Sequence, residues 1–316
     1  MNDEVKGTGV MPGLRCAALI VTFNRLEKLK KCWAATSVLP FESIIIVNNA
    51  STDGTPTWLA QLNDPRLILI NMPSNPGGAG GFRRGAEYAT ANVAADWIIF
   101  YDDDAYPPSD LLSGFGALVD PRWDVYCCKV VDNENGLCKM NMPYTRLPQT
   151  AGQDLRVMLN GGNVVPDDEH ARDVCSASFV GLILDKEILS ANIRYIYPEL
   201  FIYFDDLYFA WHLKLNGCRI RYSPELVFIH DVPPAKKGIY PQWKVYYLVR
   251  NLLLCRYFFR QKSPYTTGAI MIRVFKYLLT VATQTHKKEY LGFVFRGIID
   301  GLTHKTGKRH EPVRIK

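Results

Sequence analysis

The residues best suited to chemistry are three consecutive carboxylates, Asp102, Asp103 and Asp104, placed directly after the apolar run Trp97-Ile98-Ile99-Phe100-Tyr101. Such a run, closed off by Pro107-Pro108, reads as a short strand buried on both faces of a parallel sheet. The carboxylates then sit at its carboxyl end, the edge where open α/β sheets bind ligands. Alternation along an extended chain turns Asp102 and Asp104 the same way. Two carboxylates on one side can hold a hard divalent cation, and the cation can neutralise a diphosphate. An isolated acidic triplet is more simply a solvated turn, so the weight falls on what accompanies it.

A second acidic pair, Asp205-Asp206, opens a run that continues to Leu215 and stops at Asn216-Gly217, the signature of a helix with a good C-terminal stop. Capping of that helix accounts for one acid, and the other is free to point into a cleft. His230 ends the apolar run Leu226-Val227-Phe228-Ile229 as the triplet ends its own. A lone histidine is usually structural or exposed. The stretch Asn75-Pro76-Gly77-Gly78-Ala79-Gly80-Gly81-Phe82-Arg83-Arg84-Gly85 has two readings. Its small residues let backbone N–H groups approach a diphosphate, with Arg83 or Arg84 adding positive charge; alternatively it is a tight, flexible loop. It lacks the Gly-Lys-Ser/Thr of a Walker loop and does not follow the first strand as a Rossmann fingerprint would.

These groups need a scaffold, and the hydrophobic periodicity supplies one. Strands are expected at 16–23, 43–47 and 66–71, with a helix from Leu26 to about Thr36 that carries Leu29, Cys32 and Trp33 on one face. The polar segment Asn48 to Gly54 turns the chain into a helix at Thr55-Pro56, proline being suited to a first turn. After the glycine-rich stretch, a helix is expected from Ala86 to Val93. Strands alternating with helices at this spacing indicate an α/β, doubly wound, mostly parallel sheet flanked by helices. Further strands are expected at 125–131, 178–184, 219–222 and 226–229. Residues 144–173, which include Gly161-Gly162, read as loops and short antiparallel strands. Gly181 gives room either to a substrate or to packing.

The bulk properties bound the function. A chain of 316 residues with 48% hydrophobic and 22% charged residues can bury a sizeable core. Its eight cysteines lack any paired spacing and read as reduced thiols, with no zinc site expected. Residues 1–13 do not resemble a secretory signal, and no run has the length of a membrane span. Residues 236–316 hold 17 Lys and Arg against 3 Asp and Glu, a net +14, whereas residues 1–235 hold 20 against 28, a net −8. A basic C-terminal piece can face anionic lipid or nucleic acid. No nucleic-acid module is recognised, so nucleic acid is not expected as a partner.

Together, in order, the four motifs resemble the inverting family-2 glycosyltransferases of GT-A fold, over roughly Ala17 to Asn251. The resemblance implies that Thr22-Phe23-Asn24-Arg25 and the segment with Asn48, Asn49, Ser51 and Asp53 bind the nucleotide, with Gly77, Gly78, Gly80, Gly81, Arg83 and Arg84 also at the donor. It implies Mn²⁺ or Mg²⁺ held by Asp102, Asp104 and His230, donor contact through Asp102 and Asp103, and Asp206, beside Asp205, as general base. The wording of the glycine-rich stretch and Phe204-Asp205-Asp206 look most like galactofuranosyltransferases, with dTDP-rhamnose-dependent rhamnosyltransferases close behind. One departure is that the usual Val-Asp-Asn-x-Ser is here Val47-Asn48-Asn49-Ala50-Ser51; an amide can still hydrogen-bond a pyrimidine edge. The chemistry agrees with the resemblance: one carboxylate must take the acceptor proton, while three at one strand end repel without a cation. A catalytically inert nucleotide-sugar binding subunit is the alternative of another class; the four retained groups Asp102, Asp104, Asp206 and His230 argue against it.

The expected organisation is a catalytic domain over 1–235, with a nucleotide-sugar half at about 15–120 and an acceptor half at about 120–235. A basic helical region follows over 236–316, with helices from Trp243 to Arg260 and from Ala269 to Thr283. Tyr246-Tyr247-x-x-Arg250-Asn251 resembles a motif that borders the donor pocket in relatives. Aromatic residues interleaved with Arg and Lys suit a helix at an anionic bilayer surface, and packing on the body or on a second subunit fits the same pattern. The expected partners are a UDP-galactofuranose donor, a lipid-linked glycan acceptor and the cytosolic face of the inner membrane, with a homo-oligomer left open.

Overall fold

The computed structural model of the chain describes residues 13–160, 164–167, 169–232 and 238–309. The first half alternates as expected: β1 (Cys16–Thr22), α1 (Leu26–Ser37), β2 (Ser43–Asn48), α2 (Thr55–Leu59), β3 (Leu67–Asn71), α3 (Gly77–Asn92) and β4 (Trp97–Asp102). The strands β3, β2, β1 and β4 lie side by side and parallel. Every residue of β1 is buried, because successive side chains feed opposite cores. Ala17, Leu19 and Val21 meet Phe82 and Ala86 of α3, whereas Ala18 and Ile20 meet Leu29 and Cys32 of α1.

The second half mixes directions. It contains β5 (Ala105–Tyr106), α4 (Leu111–Leu118), β6 (Val125–Val131), α5 (Ala151–Asn160), β7 (Arg172–Val174), β8 (Leu182–Asp185), α6 (Lys186–Asn192), α7 (Asp205–Leu215) and β9 (Ile220–His230). The sheet runs β3-β2-β1-β4-β8-β6-β9-β5, with β7 also on β9. The β4–β8, β8–β6, β9–β5 and β9–β7 pairs are antiparallel, and β6–β9 is parallel. Three helices follow: α8 (Lys244–Phe258), α9 (Thr267–Leu279) and α10 (Lys287–Leu302).

Several expectations change. The glycine-rich stretch is not a loop: α3 begins at Gly77, and its glycines let the helix lie close on the sheet. A Cβ at Gly81 would come 2.5 Å from Val21 Cγ1, and one at Gly85 would come 2.1 Å from Leu19 Cδ1. Close packing thus overrides the low helix propensity of glycine. Within 144–173 the antiparallel strand β7 is present, but α5 is a helix that periodicity did not reveal; Gly161-Gly162 lie outside the described residues. The strand expected from Ser178 starts only at Leu182. Gly181, at φ 74°, serves packing, since a Cβ there would lie 3.0 Å from Cys128 Cβ and 3.1 Å from Phe228. The two strands expected at 219–229 are one, β9, whose register against β6 shifts at Cys128/Lys129. Helix α10 was not anticipated.

The three C-terminal helices do not stand apart. Val245, Tyr246, Val249 and Leu252 of α8 share one core with Leu200 and Phe201 ahead of α7 and Tyr208 within it, together with Ile270 and Val274 of α9 and Tyr290 and Val294 of α10. All eight cysteines are buried free thiols.

Candidate active site

The site forms at the carboxyl ends of β1, β2 and β4, where three connections interlock. Asn24, in the left-handed region at φ 52°, accepts Thr52 N–H through Oδ1 at 2.7 Å, and its own N–H reaches Ser51 Oγ at 3.0 Å. Asp53 accepts from Leu26 N and Thr55 N. Asn48 donates to Asn71 Oδ1 and accepts from Ser51 N. The loops after β1 and β2 are therefore built from each other's polar side chains, leaving the exposed Phe23 ring at their rim.

Asp102 is the last residue of β4, and Asp103-Asp104 form a turn into β5. The antiparallel pairing of β5 with β9 sets Ala105 against His230, and Asp231 N–H donates to the Asp104 carbonyl at 2.8 Å. Two segments far apart in sequence are thereby clamped together. Ligand atoms of Asp102, Asp104 and His230 all lie within 4.8 Å of one another. His230 Nε2 is 3.4 Å from Asp104 Oδ1, while Nδ1 is 3.1 Å from Asn141 Oδ1. With Asn141 accepting from Nδ1–H, Nε2 points at the carboxylates, where a bound metal ion would take its lone pair, the usual outer-shell orientation of a metal-binding histidine. Asn141 in turn donates to Ser178 Oγ at 2.8 Å. Sequence reasoning missed Asn141, since an asparagine in an irregular segment carries no local signal. Asp231 anchors the end of β9 to Lys28 at 2.6 Å, Tyr106 at 2.8 Å and Asn133 at 2.6 Å. Two carboxylates and one imidazole around a common point suit Mn²⁺ or Mg²⁺, whose coordination number would leave further ligands to be supplied.

The electrostatics mark the cluster as short of positive charge. Burial, then repulsion from Asp104, pushes Asp102 up to about 7. Burial pushes Asp103 up to about 6. Burial would raise Asp104 also, but hydrogen bonding to His230 and the charge of Arg25 bring it below the ordinary carboxylate range. Asp103 faces inward: it accepts from Thr22 Oγ1 at 2.8 Å, Phe23 N at 3.3 Å and Arg25 Nη1 at 3.3 Å. It ties the end of β1 to the end of β4.

The acidic pair arrives from the other half. Phe201, Tyr203 and Phe204 all have positive φ (67°, 65° and 66°), and this coiled loop delivers Asp205 and Asp206 at the first turn of α7. Neither acid is the cap: that position is Phe204, without a side-chain bond. Asp206, half-buried, accepts Leu207 N–H at 2.7 Å, and burial pushes its carboxyl up to about 6. Asp205 is buried, and burial, Asp206 and the charge of Asp102 raise it well above its ordinary range. The loop is held by Asn251, whose Nδ2 donates to the carbonyls of Leu200 at 3.0 Å, Ile202 at 2.7 Å and Tyr203 at 2.9 Å. Arg250 donates to Leu200 O at 2.8 Å and lies against the Tyr246 and Tyr247 rings. The Tyr-Tyr-x-x-Arg-Asn motif therefore sits behind the acidic loop as its support, both Arg250 and Asn251 being fully buried.

Some residues matched to the donor have other engagements. Arg83 binds Glu87 at 2.6 Å and the carbonyls of Ile193 and Ile196, tying α3 to the turn after α6. Arg84 is exposed beside Glu87. Asn49 is buried and donates to Gly77 O at 2.9 Å. The N-terminus of α3 is covered: Ala79 N–H donates to Phe201 O at 3.2 Å, and a Cβ at Gly77 (φ 79°) would lie 2.1 Å from the same oxygen. Gly80 packs on Pro76, and only Gly78 faces open space. These glycines let the N-terminus of α3 and the acidic loop touch at Phe201.

Comparison with known proteins agrees with this fold. The model of the family described as Glycosyl transferase family 2 matches residues 17–174, half of the chain. The low-salt glycan biosynthesis hexosyltransferase Agl10 of Haloferax volcanii is 20% identical over 296 residues, covering 92% of each protein. S. aureus TarS 1–349 in complex with UDP is similar with a TM-score of 0.52 and 16% identity, over 91% of this chain and 89% of that one. The mannosyltransferase PcManGT from Pyrobaculum calidifontis, in complex with GDP-Man and Mn²⁺, gives a TM-score of 0.54 and 14% identity, over 92% and 88%. The fold is thus that of the GT-A glycosyltransferases, and the chain belongs to glycosyl transferase family 2.

Proposed function

We propose that the protein is a metal-dependent inverting hexosyltransferase that moves galactofuranose from UDP-galactofuranose to a cell-surface glycan on a lipid carrier. The observation that carries the metal-dependent reading is the convergence of Asp102, Asp104 and His230 around one point. A divalent ion held there supplies charge for the departing nucleoside diphosphate. Asp206 takes the proton of the acceptor hydroxyl as its oxygen attacks the anomeric carbon. The bond from that carbon to the phosphate oxygen breaks, and its electron pair leaves with the nucleotide. A carboxyl poised near 6 suits this role, being ionised at neutral pH yet basic enough to accept a proton. The galactofuranose donor is supported by the Phe204-Asp205-Asp206 and glycine-rich wording, and a glycan acceptor by the name of the haloarchaeal relative.

A panel of nucleotide sugars with Mn²⁺, scored for acceptor-independent hydrolysis and for protection against heating, tests the donor. UDP-galactofuranose should be hydrolysed and protective, and chelation with EDTA should abolish both effects. Preference for dTDP-rhamnose would replace the donor; protection without hydrolysis by any sugar nucleotide would point to an inert binding subunit.

We also propose that the protein attaches to the cytosolic face of a membrane. Among the described residues no helix is long and apolar enough to cross one. Helix α9 buries Ala269, Ile270 and Val274 yet exposes Met271, Phe275 and Leu279 on its opposite face, and α10 exposes Phe295, Ile299 and Leu302 at similar spacing. The net +14 of residues 236–316 favours an anionic lipid surface over a second copy, which would bring like charge against like. The full-length protein should float with anionic vesicles and not with zwitterionic ones. Replacing Met271, Phe275 and Leu279 with glutamate should leave it at the bottom of the gradient; flotation of that variant would remove the membrane from the proposal.

A further inference from the structure

Arg25 stands between the nucleotide loops and the acidic cluster, and its contacts overlap those of the metal triad. Nη1 lies 2.6 Å from Asp104 Oδ2 and 3.3 Å from Asp103 Oδ1. Asp104 thus has two cation partners in prospect: Oδ1 faces His230 and Oδ2 faces Arg25. The arginine side chain is 51% exposed, whereas the carboxylates it holds are 5% and 9% exposed. It can therefore swing without disturbing the core. Its backbone cannot follow, because Asn24 is pinned to the 51–53 loop and Leu29 N–H is bonded to the Arg25 carbonyl.

Resting on the metal site proposed above, we infer that Arg25 is a movable counter-ion that makes divalent-ion binding conditional on a nucleoside diphosphate. While no phosphate is present its guanidinium holds Asp104. A diphosphate offers the planar fork a better-matched anion, and transfer of the guanidinium to it frees the carboxylate for the ion. An ion entering with the arginine still in place would meet a positive charge on one of its own ligands. Lys244, half-buried on the first turn of α8, increases this repulsion: it is close enough to Arg25 and Asp104 for their charges to act on it. The diphosphate turns mutual repulsion of the cations into shared attraction, so nucleotide and metal each tighten the other.

Mn²⁺ binding tests the role of Arg25, with free Mn²⁺ followed by electron paramagnetic resonance and chelation by UDP or GDP subtracted from a titration without protein. The wild-type protein should bind Mn²⁺ at least about tenfold more tightly with nucleotide than without. Arg25→Gln should bind Mn²⁺ alone about tenfold more tightly than wild type, with the nucleotide effect reduced several-fold and not abolished, since the diphosphate still meets the ion directly. Arg25→Lys, which keeps the charge, should retain a measurable nucleotide effect, and circular dichroism should show all three proteins folded. Unchanged Mn²⁺ affinity and unchanged coupling in Arg25→Gln would overturn the role of Arg25 while leaving the metal site standing. Absence of Mn²⁺ binding by every form, with or without nucleotide, would overturn the metal site and the inference with it.

Discussion

Asp206 is the side chain on which the proposed reaction turns, and it makes the sharpest prediction. Asp206→Asn should lower kcat by about 10²–10⁴-fold, the span of general-base catalysis, while UDP still protects the protein against heating. Because burial raises the carboxyl to about 6, the ionised form is lost as pH falls through that value. The rate of the wild-type enzyme should therefore decline about tenfold per pH unit below about 6, and remain flat above it until another group intervenes. A limb near the ordinary carboxylate range of about 4 would place the base elsewhere. Asn141 acts one step removed, by orienting His230. Asn141→Leu should weaken Mn²⁺ binding, measured with UDP present, by about 10–100-fold, the usual cost of losing an outer-shell partner.

At the scale of elements, the loop before α7 has three non-glycine residues at positive φ, each a conformation that must be enforced from outside. Asn251 on α8 enforces it by serving three carbonyls with one amide. Asn251→Ala would leave those buried acceptors without a donor and should destabilise the protein by about 2–4 kcal/mol in denaturant unfolding. It should also lower kcat more than it raises KM for the donor, because the displaced groups carry Asp206 while the loops after β1 and β2, proposed to hold the nucleotide, are untouched. Equal loss in both constants would separate Asn251 from the catalytic loop. Strands β1, β2 and β4 were legible from their apolar runs because a strand buried on both faces admits few polar residues. Of helix α3 only the part from Ala86 was legible, because the glycines of its first half answer to the nearness of Val21 and Leu19, which no local pattern encodes.

At the scale of the molecule, the basic C-terminal segment differs in charge from the rest yet shares a core with α7. Calorimetry should show one cooperative transition, since separating α8–α10 would expose Tyr208 and Leu200 along with their own apolar faces. Two resolved transitions would restore the C-terminal helices as an independent domain.

From the sequence alone followed the α/β alternation, the strand ends that carry Asp102, Asp104 and His230, the helix opened by Asp205-Asp206 and the family these motifs resemble. Those features are local, resting on periodicity and on what can follow an apolar strand. Tertiary structure alone decided that β5 pairs with β9 and so brings His230 to Asp104, that Asn141 meets the imidazole, that Arg25 pairs with Asp104 and that Asn251 braces the acidic loop. Each of these is a contact between distant segments, set by register and packing, and neither register nor packing is written in any single stretch of the chain.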